Sequence, residues 1–155
     1  MPPTLVLSWE ELNGHVEALA QQIRSLPAAA QPDAILAISR GGLVPGAMLA
    51  YRLGIRDLLV AVAEHYDAAG RRPAPTIVRM PADALLAGRS ILIVDEVWES
   101  GRTLELVADR ARSAGASIRT AVVHHKPGRS EVPGAPDHAA ATADGWITYP
   151  YKGGE

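Results

Sequence analysis

The segment from Ile91 to Leu104 places the tightest constraint on how this chain can fold. It reads Ile-Leu-Ile-Val-Asp-Glu-Val-Trp-Glu-Ser-Gly-Arg-Thr-Leu, so an apolar run leads directly into two carboxylates and then into a polar turn. A short run that is wholly apolar predicts a strand buried on both faces. A helix is predicted from Thr103 to Ala114, where Gly115 ends it. The segment is therefore expected to form a strand, a turn over residues 95–102 and a helix in succession.

The turn has the composition of a phosphate-binding site. Gly101 lets the backbone approach an anion closely, and the start of the following helix supplies free N–H groups with a partial positive charge. Ser100 and Thr103 add hydroxyl donors, and Arg102 adds positive charge. The turn lacks the lysine and the spacing of a Walker-type loop, and it lacks the three glycines of a dinucleotide-binding fingerprint. It predicts a phosphate cradle of a different kind.

The two carboxylates before the turn, Asp95 and Glu96, need a separate explanation because they would repel a phosphate placed on them. A sugar lying between the carboxylates and the phosphate gives one. Carboxylates accept hydrogen bonds from vicinal hydroxyl groups, and they can lie near Mg²⁺ through water. The pattern therefore predicts a ligand that is a sugar phosphate with free hydroxyl groups.

A second turn between a strand and a helix lies at residues 39–46, which read Ser-Arg-Gly-Gly-Leu-Val-Pro-Gly. Gly41 and Gly42 expose backbone N–H groups, and Arg40 supplies a fixed charge. Taken by itself, the segment is equally compatible with a tight turn that binds nothing. Beside the phosphate cradle, it predicts a second anion site.

Apolar strands alternate with helices along the chain. Helices are predicted over residues 8–25, 44–53 and 103–114, and strands over residues 34–38, 58–63, 76–79, 90–94, 118–123 and 146–149. Residues 66–75 carry charges, a glycine and two prolines, and are predicted to form an exposed, mobile loop. Residues 128–145 show little periodicity. This order predicts one α/β domain over residues 1–155, with a mostly parallel sheet flanked by helices.

Charge and composition restrict the kinds of partner. The formal net charge of −2 gives no sign of general binding to nucleic acid or membrane surfaces, so any anion site is local. The absence of cysteine excludes disulfides and thiolate metal sites. The first residues lack the basic and apolar blocks of a signal peptide, and no apolar run approaches the ~20 residues that span a bilayer. We expect a cytoplasmic protein with no nucleic-acid partner and no stable membrane insertion.

Residues 91–104 resemble the phosphoribosyl pyrophosphate signature of type I phosphoribosyltransferases, in which apolar residues and two acids precede a polar run that ends Ser/Thr-Gly-x-Thr. The resemblance implies that Asp95 and Glu96 hold the ribose hydroxyls and that Glu99 handles a proton on the purine ring. It also implies that the 5′-phosphate is bound by Ser100, Gly101, Arg102 and Thr103. The chain departs from the signature in having Glu99 where Asp is usual, Ser100 where Thr is common, and the bulky Trp98.

Residues 39–46 are similar to the pyrophosphate-binding segment of the xanthine-guanine and hypoxanthine branch of this family. The resemblance implies a cis peptide between Ser39 and Arg40. It implies that pyrophosphate is bound by Ser39, Arg40, Gly41 and Gly42. The family has a lid over the pyrophosphate, and its place in this chain is taken by Tyr66, Asp67, Arg71 and Arg72. A solvated loop stays open as the alternative for that segment.

The resemblance extends to the C-terminal part of the chain. It implies a small C-terminal hood that binds the base through Lys126, Trp146, Ile147 and Tyr151. In that branch the lysine hydrogen-bonds the 6-oxo group of the purine, the aromatic residue stacks on the ring, and backbone carbonyls meet a 2-substituent. A cationic donor favours a 6-oxopurine over the 6-amino group of adenine, and an indole face can cover a flat base.

The resemblance as a whole implies an Mg²⁺-dependent enzyme of purine salvage that transfers ribose phosphate from phosphoribosyl pyrophosphate to guanine, xanthine or hypoxanthine. Relatives are dimers or tetramers, so a homodimer or homotetramer is implied. One alternative is a regulator that keeps the phosphoribosyl pyrophosphate site but controls RNA or DNA, although the net negative charge disfavours it. The other is a phosphoribosyltransferase that acts on a different base, such as a pyrimidine.

Overall fold

The computed structural model describes residues 4–67 and 69–153, and of residues 66, 67 and 71–73 it describes only the backbone. Within these residues the helices are α1 (Trp9–Arg24), α2 (Leu43–Leu53) and α3 (Arg102–Ser113). The strands are β1 (Leu5–Val6), β2 (Ala34–Ser39), β3 (Leu58–Asp67), β4 (Gly70–Arg79), β5 (Ser90–Trp98), β6 (Ser117–His125), β7 (His138–Thr142) and β8 (Ile147–Thr148). The predicted α/β class is confirmed.

The main sheet has the strand order β4-β3-β2-β5-β6-β7. Neighbouring strands are parallel except for β3 and β4, which are antiparallel. The predicted mostly parallel sheet is therefore confirmed. Because β2 and β5 are adjacent and parallel, their carboxyl ends lie at the same edge of the sheet. The turn after β2 and the turn after β5 are thereby brought side by side.

Helices cover both faces of the sheet. Alternate residues of a strand point to opposite faces, and β5 divides its apolar side chains accordingly. Leu92 and Val94 belong to the core that α1 and α2 cover, whereas Ile91 and Ile93 belong to the core that α3 covers. The same alternation decides where the next side chains of β5 point.

A small second sheet joins β1 to the C-terminal part of the chain. β1 and β8 pair in parallel, with Leu5 opposite Ile147. The buried Tyr149 follows β8 and leads into a short 3₁₀ turn, Pro150–Lys152. The Tyr149 hydroxyl donates to the backbone carbonyl of Glu96 at 3.1 Å, so this unit lies at the carboxyl end of β5. It occupies the place of the predicted C-terminal hood.

The prediction of a mobile loop over residues 66–75 is wrong. β3 continues through Asp67, and β4 runs back from Gly70 as its antiparallel partner. The prolines of this segment are compatible with a strand because β4 is at the edge of the sheet, where a missing N–H donor is tolerated. The side chains of Arg71 and Arg72, considered for a lid, lie outside the described part of the structure.

Strand pairing explains two features that the sequence did not predict, the strand β7 and the greater length of β5. β7 lies within residues 128–145, where the sequence shows little periodicity and no strand was predicted, and its Ala-rich sequence forms a strand because it pairs with β6. β5 continues through Trp98 into the predicted turn because Val97 and Trp98 stay in register with His124 and His125 of β6. Across the described residues, none of the helices has the length and apolarity needed to cross a membrane.

Candidate active site

The turn after β5 borders a cavity of about 420 Å³. Its lining includes five residues that the sequence assigned to ribose, phosphate or proton handling, namely Asp95, Glu99, Ser100, Gly101 and Thr103. The cavity is also lined by His65 of β3 and by Arg129 and Glu131 of the segment after β6, none of which the sequence had indicated. We call this space the phosphate-side cavity.

Gly101 shapes the turn at the entrance to α3. Its φ of 81° lies in the left-handed region, and a Cβ atom at this position would meet the ring of Trp98 at 2.4 Å. Trp98 is buried, and its indole N–H donates to Ser130 Oγ at 3.1 Å. The indole of Trp98, which departs from the family signature, therefore packs against the turn at Gly101 and hydrogen-bonds to the segment after β6.

Arg102 makes an ion pair at the border of the turn. Its Nε lies 2.9 Å from Glu131 Oε2. The Glu131 backbone N–H donates to the Ser100 carbonyl at 2.9 Å, and the Arg102 backbone N–H donates to Ser100 Oγ at 3.2 Å. The segment after β6 thus packs directly on the turn. An anion that binds Arg102 therefore competes with the Glu131 carboxylate for the guanidinium group.

Asp95 lies at the base of the phosphate-side cavity. Burial raises the pKa of Asp95 to about 7, and repulsion from the Glu96 carboxylate adds to the rise. The Glu96 backbone N–H, which donates to Asp95 Oδ1 at 2.8 Å, partly offsets these effects. The pKa of Asp95 therefore lies near neutral pH.

The turn after β2 borders a second cavity, of about 360 Å³. Its lining is Arg40, Gly41, Glu96, Tyr151 and Lys152. The peptide between Ser39 and Arg40 is cis, as the resemblance implies. Arg40 and Gly41 were expected to bind pyrophosphate, whereas Lys152 was not indicated by the sequence. We call this space the pyrophosphate-side cavity.

Glu96, in the wall of the pyrophosphate-side cavity, accepts a hydrogen bond on each of its carboxylate oxygens. The Tyr151 hydroxyl donates to Glu96 Oε2 at 2.6 Å, and Lys152 Nζ donates to Glu96 Oε1 at 2.7 Å. A Cβ atom on Gly41 would lie 2.6 Å from the Glu96 carboxyl carbon, so any larger residue here would require the Glu96 side chain to move. Both oxygens of Glu96 are therefore held by the C-terminal turn in the absence of a ligand.

The adjacent acids of β5 consequently serve different cavities. Asp95 points to the α3 face and lines the phosphate-side cavity, and Glu96 points to the α1–α2 face and lines the pyrophosphate-side cavity. Sequence reasoning treated the pair as one unit that faces a sugar. The structure places one carboxylate on each side of the carboxyl end of β5.

Two of the residues predicted to bind the base, Lys126 and Ile147, are buried. Lys126 is buried at the end of β6, and its Nζ lies 3.5 Å from Glu99 Oε1. Ile147 is buried in the core, so its side chain faces away from a ligand. The structure thus brings Lys126 and Glu99 together at one edge of the phosphate-side cavity.

The other two base-site candidates differ from each other. Trp146 is 63% exposed, as a stacking surface for a ligand requires. The ring of Tyr151 stacks on that of Tyr149 at 5.6 Å between centroids, and its hydroxyl is directed to Glu96. Tyr151 therefore reaches toward the pyrophosphate-side cavity.

A buried pair beneath the hood was missed by the sequence analysis. His124 Nδ1 lies 2.8 Å from the Tyr149 hydroxyl, which also donates to the Glu96 backbone. Burial, with the nearby positive charges of His15 and Lys126, lowers the pKa of His124 to about 4, so this imidazole is neutral at pH 7. The pair anchors the C-terminal turn to β5 and β6. Tyr149, which stands between Thr148 and Pro150, carries no sequence signal for this role.

The carboxylates fit a magnesium ion that arrives with a phosphorylated ligand. Mg²⁺ prefers oxygen ligands and is commonly held by one or two carboxylates together with substrate phosphates. Asp95 and Glu96 supply such oxygens beside both cavities. Over residues 4–67 and 69–153 there is no cluster of three or more metal-binding side chains that would hold an ion without a ligand.

Comparison with known proteins agrees with this arrangement. Residues 6–148 match the model of the phosphoribosyl transferase domain. The chain is 32% identical over 151 residues to a xanthine-guanine phosphoribosyltransferase of Ruegeria sp. (strain TM1040), covering 94% of this chain and 83% of the relative. It is 33% identical over 146 residues to the enzyme of that name from Idiomarina loihiensis, covering 94% of this chain and 84% of the relative.

Solved structures agree as well. The purine phosphoribosyltransferase of Pyrococcus horikoshii superposes with a TM-score of 0.78 at 30% identity, covering 96% of this chain and 93% of that one. The strand-to-helix turns, the acids at the end of β5 and these relatives lead to one conclusion: this chain belongs to the phosphoribosyltransferase family.

Proposed function

We propose that the protein transfers the 5-phosphoribosyl group from phosphoribosyl pyrophosphate to a 6-oxopurine, namely guanine, xanthine or hypoxanthine, and releases pyrophosphate. The observation that carries this proposal is the contact between Lys126 and Glu99, a buried cationic donor 3.5 Å from a carboxylate at the edge of the phosphate-side cavity. A donor for a 6-oxo group and an acceptor for a ring proton are what a 6-oxopurine needs. The names of the relatives support the same base class.

The donor substrate is assigned to both cavities. The 5′-phosphate binds the turn after β5, where α3 begins, through Ser100, Gly101, Arg102 and Thr103. The pyrophosphate binds the turn after β2 through Ser39, Arg40, Gly41 and Gly42. The ribose lies between them, where Asp95 approaches from one side of β5 and Glu96 from the other.

The reaction follows from these positions. The bond between C1′ and the pyrophosphate oxygen breaks, and both its electrons leave with the pyrophosphate, whose charge Arg40 and the backbone N–H groups of residues 41 and 42 stabilise. The purine forms the new bond to C1′ through N9, while Glu99 takes the ring proton near N7. Lys126, Trp146 and backbone carbonyls near Ile147 and Tyr151 orient the base. The protein contributes mainly by positioning and by charge stabilisation.

Magnesium is proposed as the cofactor. When bound with the donor, the ion would neutralise phosphate charge. The side chains that would meet it are Asp95 and Glu96.

The Glu99→Gln variant tests the assignment of the proton acceptor. The amide cannot take a proton, so turnover with guanine should fall about 100-fold or more while the Kd for phosphoribosyl pyrophosphate stays within about twofold. Pyrophosphate release and calorimetric donor binding, both with Mg²⁺, measure the two quantities. Normal turnover in the variant would remove Glu99 from the chemistry.

We further propose that the protein forms a homodimer or homotetramer. Apolar side chains are exposed on α2 and on the neighbouring strand: Leu43, Tyr51, Leu58 and Val60. Tyr51 is 91% exposed and lines a cavity of about 500 Å³ together with Leu58. Covering such a surface removes apolar area from water. Light scattering after gel filtration should give a dimer or tetramer that Tyr51→Asp dissociates, and a monomeric parent protein would contradict the proposal.

A further inference from the structure

The C-terminal turn brings a cation into the pyrophosphate-side cavity. Lys152 is the last residue of the 3₁₀ turn, and its Nζ lies 2.7 Å from Glu96 Oε1. The same Nζ lies 5.6 Å from the centroid of the Tyr149 ring. The ammonium is therefore placed between a carboxylate and an aromatic face, at the wall of the cavity that Arg40 and Gly41 also line.

The position of Lys152 is fixed by buried neighbours. Tyr149 is buried, bonded to His124 and to the Glu96 backbone, and its carbonyl accepts the Lys152 backbone N–H at 3.1 Å. Gly153 then ends the turn with a φ of 65°. A lysine three residues from such an anchor loses less conformational freedom on binding a ligand than a lysine on a mobile tail.

Charge balance shows what the lysine contributes. The charged side chains that line this cavity are Arg40, Glu96 and Lys152. Arg40 and Glu96 alone sum to zero, which gives no advantage to a multiply charged anion. Lys152 makes the sum positive. Its side chain is 32% exposed, so the ammonium has access to a ligand from its present position beside Glu96.

We propose that Lys152 is a pyrophosphate-binding residue, which neutralises Glu96 while the site is empty and contacts the pyrophosphate group when the donor or product is bound. The proposal rests on the proposed function, because it assigns a further residue to the same leaving-group site. It also links the base hood to the leaving group, since Lys152 lies in the same short segment as Trp146 and Tyr151.

The test is the affinity for inorganic pyrophosphate, measured by calorimetry at a fixed concentration of Mg²⁺. Lys152→Ala should weaken binding about tenfold, Lys152→Arg should keep most of the affinity, and KM should rise for the donor but not for guanine. Arg112→Ala serves as the control, because Arg112 lies in the last turn of α3 and its removal changes net charge equally. An unchanged pyrophosphate affinity in Lys152→Ala would overturn the proposal.

The same Lys152→Ala substitution in Glu96→Gln protein distinguishes a direct contact between Lys152 and pyrophosphate from a lysine that only neutralises Glu96. In Glu96→Gln protein the carboxylate charge is gone, so a lysine that only neutralises Glu96 would no longer matter. We expect Lys152→Ala to weaken pyrophosphate binding by a similar factor in this background. Loss of the effect there would overturn the direct contact. Failure of the parent protein to bind either pyrophosphate or the donor would instead reject the proposed function itself.

Discussion

The two cavities at the carboxyl edge of the sheet are built in different ways. The predicted residues of the phosphate-side cavity all lie in one continuous stretch, 95–103, to which His65, Arg129 and Glu131 are added from elsewhere in the chain. The predicted residues of the pyrophosphate-side cavity lie in three separate segments: the turn after β2, the end of β5 and the C-terminal turn. In the first, burial has the largest influence on the Asp95 carboxyl group, and in the second, Glu96 accepts hydrogen bonds from two side-chain donors. The acid of the first cavity is therefore governed mainly by burial, and the acid of the second by side-chain donors of the C-terminal turn.

The glycines of the two turns provide the largest expected contrast. Gly101→Ala forces a side chain into a left-handed conformation and against the buried ring of Trp98. Gly41→Ala meets only the Glu96 side chain. We expect Gly101→Ala to lower the free energy of unfolding by about 2–4 kcal/mol and Gly41→Ala by about 1 kcal/mol. Urea unfolding of both variants measures this, and equal losses would contradict the distinction between a strained backbone beside a buried ring at Gly101 and an adjustable side-chain contact at Gly41.

The two acids of β5 should respond to neutralisation in opposite directions. The pKa of Asp95 is raised to about 7, whereas an unfolded aspartate titrates near pH 4. The folded state therefore binds the extra proton between these values, and its stability falls as the pH rises from about 4 to 7. Asp95→Asn removes this loss and should raise Tm by about 5 °C at pH 8, with little change at pH 4.

Glu96→Gln is the matched variant for that experiment. It weakens the charge-assisted hydrogen bonds from Tyr151 and Lys152, so the free energy of unfolding should fall by about 1 kcal/mol at pH 8. Calorimetric melting curves at both pH values compare the two variants. Stabilisation by both substitutions, or by neither, would show that the two carboxylates do not differ as described.

The smallest effect is expected for Tyr151→Phe. The substitution removes the hydroxyl that donates to Glu96 at 2.6 Å but keeps the ring that stacks on Tyr149. We expect a loss of about 0.5 kcal/mol in the free energy of unfolding and an unchanged KM for guanine. A large rise in the KM for guanine, measured by steady-state kinetics, would place the hydroxyl in the base site instead of on the pyrophosphate side.

The same contrast explains how much the sequence predicts. Residues 95–103 are contiguous, so the turn, its glycine and the helix start are all visible in the order of residues. Tyr151 and Lys152 donate hydrogen bonds to Glu96 from 55 and 56 residues further along the chain, and no local sequence pattern predicts contacts at such separations. The fold class follows from alternating strands and helices, whereas β7 and the hairpin of β3 and β4 depend on pairing that overrides weak local propensity.

The central claim is transfer of a phosphoribosyl group to a 6-oxopurine, and a base panel tests it most directly. The protein would be mixed with phosphoribosyl pyrophosphate, Mg²⁺ and one of guanine, xanthine, hypoxanthine, adenine, uracil or orotate, and nucleotide formation followed. We predict turnover with at least one 6-oxopurine and none with adenine, because the role proposed for the buried Lys126 is to donate a hydrogen bond to a 6-oxo group. Turnover with a pyrimidine alone, or tight donor binding without turnover on any base, would contradict the account.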